Sequence, residues 1–118
     1  MNSLPVIAIF DIGKTNKKFF LLDTGYQIVH EQSITFPEII DEDGDACEDI
    51  NALTGWITKT FTGILSDKKY DLKAINFSAY GASFVYIDAD GKVMAPLYNY
   101  LKDYPIKLKN AFYKKYGG

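Results

Sequence analysis

The sequence predicts an α/β domain built on a mixed β-sheet with flanking helices, and three observations carry that prediction. Two apolar runs, Val6–Phe10 and Phe19–Leu22, are separated by a short polar turn. A stretch with helical apolar spacing, 49–65, follows a third extended segment. A further short apolar run, Ile75–Phe77, comes after that helix and returns to the sheet by a crossover, which makes its pairing parallel.

The elements follow in order. Val6–Phe10 is continuous and rich in β-branched residues, the pattern of a strand covered on both faces. Val6 to Asp11 and Lys17 to Asp23 are therefore expected to pair as an antiparallel hairpin, with Asp11 to Asn16 at its tip. After the Thr24-Gly25 turn, Gln27 to Phe36 alternates weakly and reads as a third strand. Ile50, Leu53, Ile57, Phe61 and Ile64 fall on one helical face, and Asp49 precedes them as the expected N-cap. Gly55 and four threonines lower the propensity of that helix, so packing must hold it. Ser83 to Ile87 and Lys92 to Ala95 flank Asp88-Ala-Asp-Gly91, the signature of a second hairpin. Ile106–Tyr116 reads as an amphipathic helix stopped by Gly117-Gly118.

Composition bounds what the chain does. Its 118 residues are enough for one domain and one core, and 47% hydrophobic with 15% aromatic content fills it. Thirteen lysines stand against fifteen acidic residues, a net charge of −2, and no arginine occurs. That balance argues against a nucleic-acid partner, which needs a basic stripe, and leaves no guanidinium to grip a phosphate in two places. The single Cys47 has no partner for an internal disulfide, the start lacks the pattern of a secretory signal, and no run reaches the length of a membrane span. A cytoplasmic protein with no membrane partner is the resulting expectation.

The chemistry-bearing stretch is Asp11-Ile-Gly-Lys-Thr-Asn16. Gly13 lets the turn bend where other residues cannot, backbone N–H groups with Thr15 and Asn16 beside them form a nest for phosphate oxygens, and Asp11 is placed to hold a hydrated magnesium ion. The residues alone leave a second reading open, a hairpin whose Asp, Gly and Asn are turn formers. The acidic stretch Pro37–Asp49 has Gly44 out of register for a calcium loop and reads as solvated. His30 has no nucleophile or acid near it in sequence and reads as structural, and Trp56 reads as packing.

Asp11 to Lys18, followed by Phe-Phe-Leu-Leu-Asp23, resembles the first phosphate-binding segment of the FGGY carbohydrate kinases, members of the superfamily of actin, hexokinase and the heat-shock ATPases. Lys14 stands where the family has a first Thr, and Lys18 supplies its basic residue. Ala74 to Asp103 resembles the family's second segment: strand, small-residue turn, strand ending in Asp, Asp-Gly hairpin, then an aromatic and an Asp. The Tyr80-Gly81 pair is most similar to the rhamnulose and fuculose kinase branch. The resemblance implies a ribonuclease-H-like fold and ATP-dependent phosphorylation of a ketose or deoxy-ketose hydroxyl, with ATP and Mg2+ as cofactors and a small-molecule sugar as partner. It implies phosphate contacts at Asp11, Gly13, Lys14, Thr15, Asn16 and Lys18, the metal at Asp11, and sugar contacts at Tyr80, Gly81, Ser83, Tyr100 and Asp103. Tyr98 and Asn99 share that last region, and Glu48-Asp49 matches an acidic pair leading into the helix near the sugar cleft. It further implies that residues 1–118 are the N-terminal part of the first domain, the catalytic base and adenosine pocket lying in a second domain outside this sequence, so that the chain alone is inactive. A stand-alone, non-catalytic sugar- or nucleotide-binding domain of the same fold is the alternative. A ribonuclease-H-type nuclease is disfavoured, since Asp11 has neither further converging carboxylates nor a basic surface beside it.

Overall fold

β1 (Leu4–Ile12) and β2 (Lys17–Leu22) form the expected antiparallel hairpin, with Ile12 opposite Lys17 at the tip and Ile7 opposite Leu22 at the base. The computed structural model describes residues 2–118. β3 (Ile28–Ile34) pairs antiparallel with β2 after a turn in which the Asp23 carboxylate accepts the N–H groups of Gly25 and Gln27, both at 2.9 Å. The helix α1 (Ile50–Ser66) starts where Asp49 accepts the Ala52 N–H at 3.0 Å, an N-cap as anticipated. β6 (Tyr70–Ala79) then runs parallel to β1, completing a four-stranded sheet in the order β3-β2-β1-β6. It is longer than the Ile75–Phe77 run, because pairing with β1 recruits polar residues that no apolar pattern marks.

The core sits between this sheet and α1. Val6, Ala8, Phe10 and Ile12 of β1 and Phe19 and Leu21 of β2 are buried together with Leu53. Phe10 lies 4.8 Å from the Phe19 ring and meets the Trp56 edge at 5.6 Å, so Trp56 packs rather than presents itself. His30 meets the edge of Phe19 at 6.1 Å, a structural placement. One expectation fails: β1 is not covered on both faces. Its burial alternates residue by residue, with Ile7 and Ile9 left half-buried, because α1 is the one helix laid on this sheet and nothing among the described residues covers the other side.

A second, small sheet was not anticipated. β4 (Ile39–Ile40), β5 (Ala46–Glu48) and β7 (Leu97–Tyr98) pair antiparallel in that order. The acidic stretch is solvated at its tip as expected, but it is folded as a tight hairpin: the Asp41 carboxylate accepts the N–H groups of Asp43 and Asp45, and the Tyr98 hydroxyl donates to it from β7. Conversely, the second predicted hairpin shrinks to one bridge between Ile87 and Val93 around the Asp88 turn. Phe84, Tyr86, Ile87 and Met94 are exposed there, so neither flank has a surface to fold onto. The last helix, α2 (Ile106–Tyr116), ends at Gly117 with φ 82° as its sequence predicts, but none of its residues is buried. Among the described residues no helix is long and apolar enough to cross a membrane.

Candidate functional site

The parallel pairing of β1 and β6 brings their C-terminal ends side by side, the edge at which open α/β sheets bind ligands. Gly13 to Asn16 leave β1 in a closed turn: the Gly13 N–H donates to the Asn16 carbonyl at 3.0 Å. A Cβ on Gly13 would stand 2.6 Å from that oxygen, so only glycine fits. This corrects one detail of the expected donor nest. The Gly13 N–H is engaged inside the turn and does not face a ligand. Tyr80 follows β6 and is tied to the turn from the other side, its N–H donating to the Ile12 carbonyl at 3.1 Å.

Beneath the turn lies a charged cluster. Lys17 is 1% exposed, because it shares the inward face of β2 with Phe19 and Leu21. Its ammonium donates to the Lys14 carbonyl at 2.8 Å and to both Glu48 oxygens at 2.8 and 3.2 Å. Glu48, at the end of β5 and 6% exposed, also accepts the Tyr80 hydroxyl at 2.9 Å. A buried carboxylate that accepts three hydrogen bonds, two from Lys17 and one from Tyr80, is well satisfied, and the pair cancels its own charge. Burial and the Glu48 carboxylate push the Tyr80 hydroxyl well above the ordinary phenol range, so it is a donor at neutral pH.

A cavity of about 220 Å3 opens above this cluster. Lys14 and Thr15 of the turn form one wall, Tyr80 and Glu48 the floor, and Phe36, Glu38 and Asn99 the rim. Tyr100 stands behind Tyr80 with ring centroids 5.9 Å apart, and the Lys14 ammonium lies 5.9 Å from the Tyr100 ring. Asp11 and Lys18 are opposite one another across β1 and β2 and, by the alternation of the strands, project from the other face of the sheet tip. The Asp11 carboxylate accepts no hydrogen bond from a side chain among the described residues, and no group of three metal-binding side chains occurs among them. A lone carboxylate with free oxygens fits magnesium, which keeps waters and takes its other ligands from phosphates rather than from a protein cage.

The remaining expected residues are scattered. Asn16 is exposed at the turn, Gly81 is exposed with nothing within 4 Å of where a Cβ would stand, and the Ser83 hydroxyl is buried without a partner among the described residues. Asp103 is not at the cavity: it borders a hollow against α2 and another beside Lys102 and Asp45. Lys17 and Glu38 were not singled out as site residues from sequence. The parity of Lys17 with Phe19 and Leu21 was a signal that it points inward, whereas nothing local marks its partner 31 positions away.

An ordered turn and a cavity thus lie together at the carboxyl ends of two parallel strands of a mixed sheet. Residues 6–102 match the model of the FGGY family of carbohydrate kinases, N-terminal domain. The chain belongs to that family. Among solved structures it is similar to a carbohydrate kinase from Novosphingobium aromaticivorans (TM-score 0.81, 18% identity, 97% of this chain and 23% of that one). It is also similar to a ligand-bound xylulose kinase from Lactobacillus acidophilus (TM-score 0.75, 22% identity, 97% and 23%) and to Plasmodium falciparum glycerol kinase with ADP (TM-score 0.74, 21% identity, 98% and 24%). These likenesses fix the fold, that of the N-terminal domains of sugar kinases, and the chain spans about a quarter of the length of these structures. Comparison with curated proteins gives no match.

Proposed function

We propose that this chain is the phosphate-binding and sugar-facing part of an ATP-dependent carbohydrate kinase that phosphorylates a ketose or deoxy-ketose hydroxyl in the cytoplasm. One observation carries the reading: Lys14 and Thr15 of the turn share a single cavity with Tyr80, the residue of the second family segment. At about 220 Å3 the cavity is smaller than the roughly 300–1,000 Å3 of drug-sized pockets, which restricts it to a small polar group such as part of a polyol or a phosphate. Tyr80 offers a ring face and Glu48 an acceptor, while Tyr100 closes the back of the aromatic wall. Tyr80 followed by Gly81 supports a substrate of the rhamnulose or fuculose kind.

In this reading Asp11 holds the magnesium that accompanies the nucleotide, and Lys18 beside it on the same face adds positive charge. When bound, that ion neutralises charge on the transferred phosphoryl group. Thr15 and the exposed turn N–H groups orient phosphate oxygens, and the aromatic wall orients the sugar so that one hydroxyl meets the phosphorus in line. The base that accepts the hydroxyl proton and the adenosine pocket belong to a second domain, residues 1–118 being the N-terminal part of the first.

The test is ligand mapping on the 118-residue chain by 15N NMR. L-Rhamnulose and L-fuculose are expected to shift amides around Tyr80 and Tyr100, and magnesium pyrophosphate those of 13–16. Glycerol and D-xylulose should act more weakly. If neither ligand class moves either group, the reading is wrong.

A further inference from the structure

We propose that Lys17 is a positioning residue for the turn: its buried ammonium pins the Lys14 carbonyl inward and so turns the Thr15 N–H outward as an anion donor. The inference rests on the phosphate role proposed for the turn and adds to it a cause for the turn's geometry. An ammonium has three protons to donate, and here the Lys14 carbonyl at 2.8 Å and the two Glu48 oxygens at 2.8 and 3.2 Å account for all three. Lys17 therefore has no capacity left for a ligand, and at 1% exposure it has no access to one.

Its effect passes through the peptide plane. The Lys14–Thr15 peptide is trans, so its carbonyl and its N–H point in opposite directions. With the carbonyl held down onto the ammonium, the Thr15 N–H lies on the open side of the turn, where Thr15 borders the cavity. Thr15 is exposed, and its N–H has no acceptor among the described residues. The turn has one other closure of its own, the Gly13 N–H on the Asn16 carbonyl. That bond sets the width of the turn, whereas the Lys17 bond sets the rotation of the peptide within it.

The ammonium does this without presenting net charge. Glu48 neutralises it, and the Tyr80 hydroxyl at 2.9 Å holds Glu48 in the rotamer that meets Lys17. A continuous chain of hydrogen bonds thus runs from Tyr80 at the cavity floor through Glu48 and Lys17 to the Lys14 carbonyl. Donors fixed in advance bind an anion without the reorganisation a free turn would need.

The experiment compares the 118-residue chain with its Lys17→Met/Glu48→Gln variant. Removing both charges together leaves the net charge and the neutrality of the pocket unchanged, so any loss of anion binding is not a loss of attraction. The Tyr80 hydroxyl keeps an amide oxygen to donate to. Magnesium pyrophosphate is titrated while the Thr15 amide and the Lys14 carbonyl carbon are followed by NMR. Loss of a charge-held donor corresponds to binding weaker by at least about tenfold, with the Thr15 response lost and amides of 6–10 unchanged. Equal affinity and an equal Thr15 shift in both proteins overturn the proposal while leaving the phosphate reading intact. No pyrophosphate response in the unaltered chain overturns the phosphate reading, and this inference with it. Should the variant not fold, the unaltered chain still decides: a slowly exchanging Lys17 ammonium signal coupled through its hydrogen bond to the Lys14 carbonyl carbon is expected, and its absence refutes the positioning role.

Discussion

Tyr98 and Asp41 form a second half-buried tyrosine–carboxylate pair beside Tyr80–Glu48, and they carry a pH dependence whose sign is fixed. Donating to the carboxylate raises the Tyr98 hydroxyl to about 12, with burial and neighbouring acids adding to the shift, while the same bond lowers Asp41 below the ordinary carboxylate range. Tyr98 is raised above its unfolded value near 10, so its contribution is complete below pH 10 and disappears as pH rises through 12. Asp41 is lowered, so its contribution is present above the unfolded value of 3.8 and fades as pH falls through the lower folded one. A thermal melting series across pH 10 to 12 should therefore show a falling melting temperature that Tyr98→Phe flattens. Absorbance titration should show one phenol with a midpoint near 12 that the same variant removes. An unchanged titration curve in Tyr98→Phe would refute the assignment. Neither partner was legible beforehand, since the two lie 57 positions apart and join through strands of two and three residues. The turn itself was legible, because two apolar runs flank it and Gly13 marks the close approach in local spacing. The Lys17–Glu48 pair was half legible: the period of β2 points Lys17 inward, but its partner is a tertiary fact.

At the scale of elements, helical period and capping identify α1 to within a residue, because both signals are local and strong. The same reasoning overestimates the 83–95 hairpin. A turn signal fixes a reversal of the chain, while strands also need a surface to pack on, and Phe84 and Met94 have none. α1 also carries a stability prediction. Gly55 and Gly63 lie in its interior, and a Cβ at either would meet nothing within 4 Å. Gly55→Ala and Gly63→Ala should each stabilise the chain by about 0.5–1 kcal/mol through the lost entropy of the unfolded backbone. Asp49→Ala should destabilise it by about 0.5–2 kcal/mol by freeing the Ala52 N–H. Urea unfolding followed by circular dichroism measures all three. A destabilised Gly55→Ala would show that the helix face is covered by something the present packing does not contain.

For the whole molecule, the radius of gyration of 18.7 Å exceeds the roughly 13.5 Å expected of a compact domain of this length. The excess comes from the C-terminal end: residues 101–118 are all exposed, and the apolar side chains of α2, Ile106, Leu108 and Phe112 among them, have no partner layer. Stability should accordingly be graded along the chain. Amide exchange is expected to be slowest in β1 and β2, where the core is continuous, and fast throughout 83–95 and 106–116. The proposed chemistry grades in the same way. The cavity supplies acceptors, donors and an aromatic wall, but no carboxylate that is both unpaired and inside it except Glu38 at the rim. General-base removal of a sugar proton needs a free group within hydrogen-bond reach of the reacting hydroxyl. Coupled measurement of ADP release from the 118-residue chain over a panel of ketoses should therefore give no turnover above background. In an enzyme that contains the chain together with a nucleotide-binding domain, Asp11→Ala should lower kcat by an amount equivalent to about 2–4 kcal/mol of transition-state stabilisation. Tyr100→Ala there should raise the sugar KM with a smaller effect on kcat, since it removes contact made equally before and during the reaction. Turnover by the chain alone that Asp11→Asn abolishes would place the base within these residues. A kcat left within a few-fold by Asp11→Ala at saturating magnesium would return Asp11 to the role of a turn former in an ordinary hairpin.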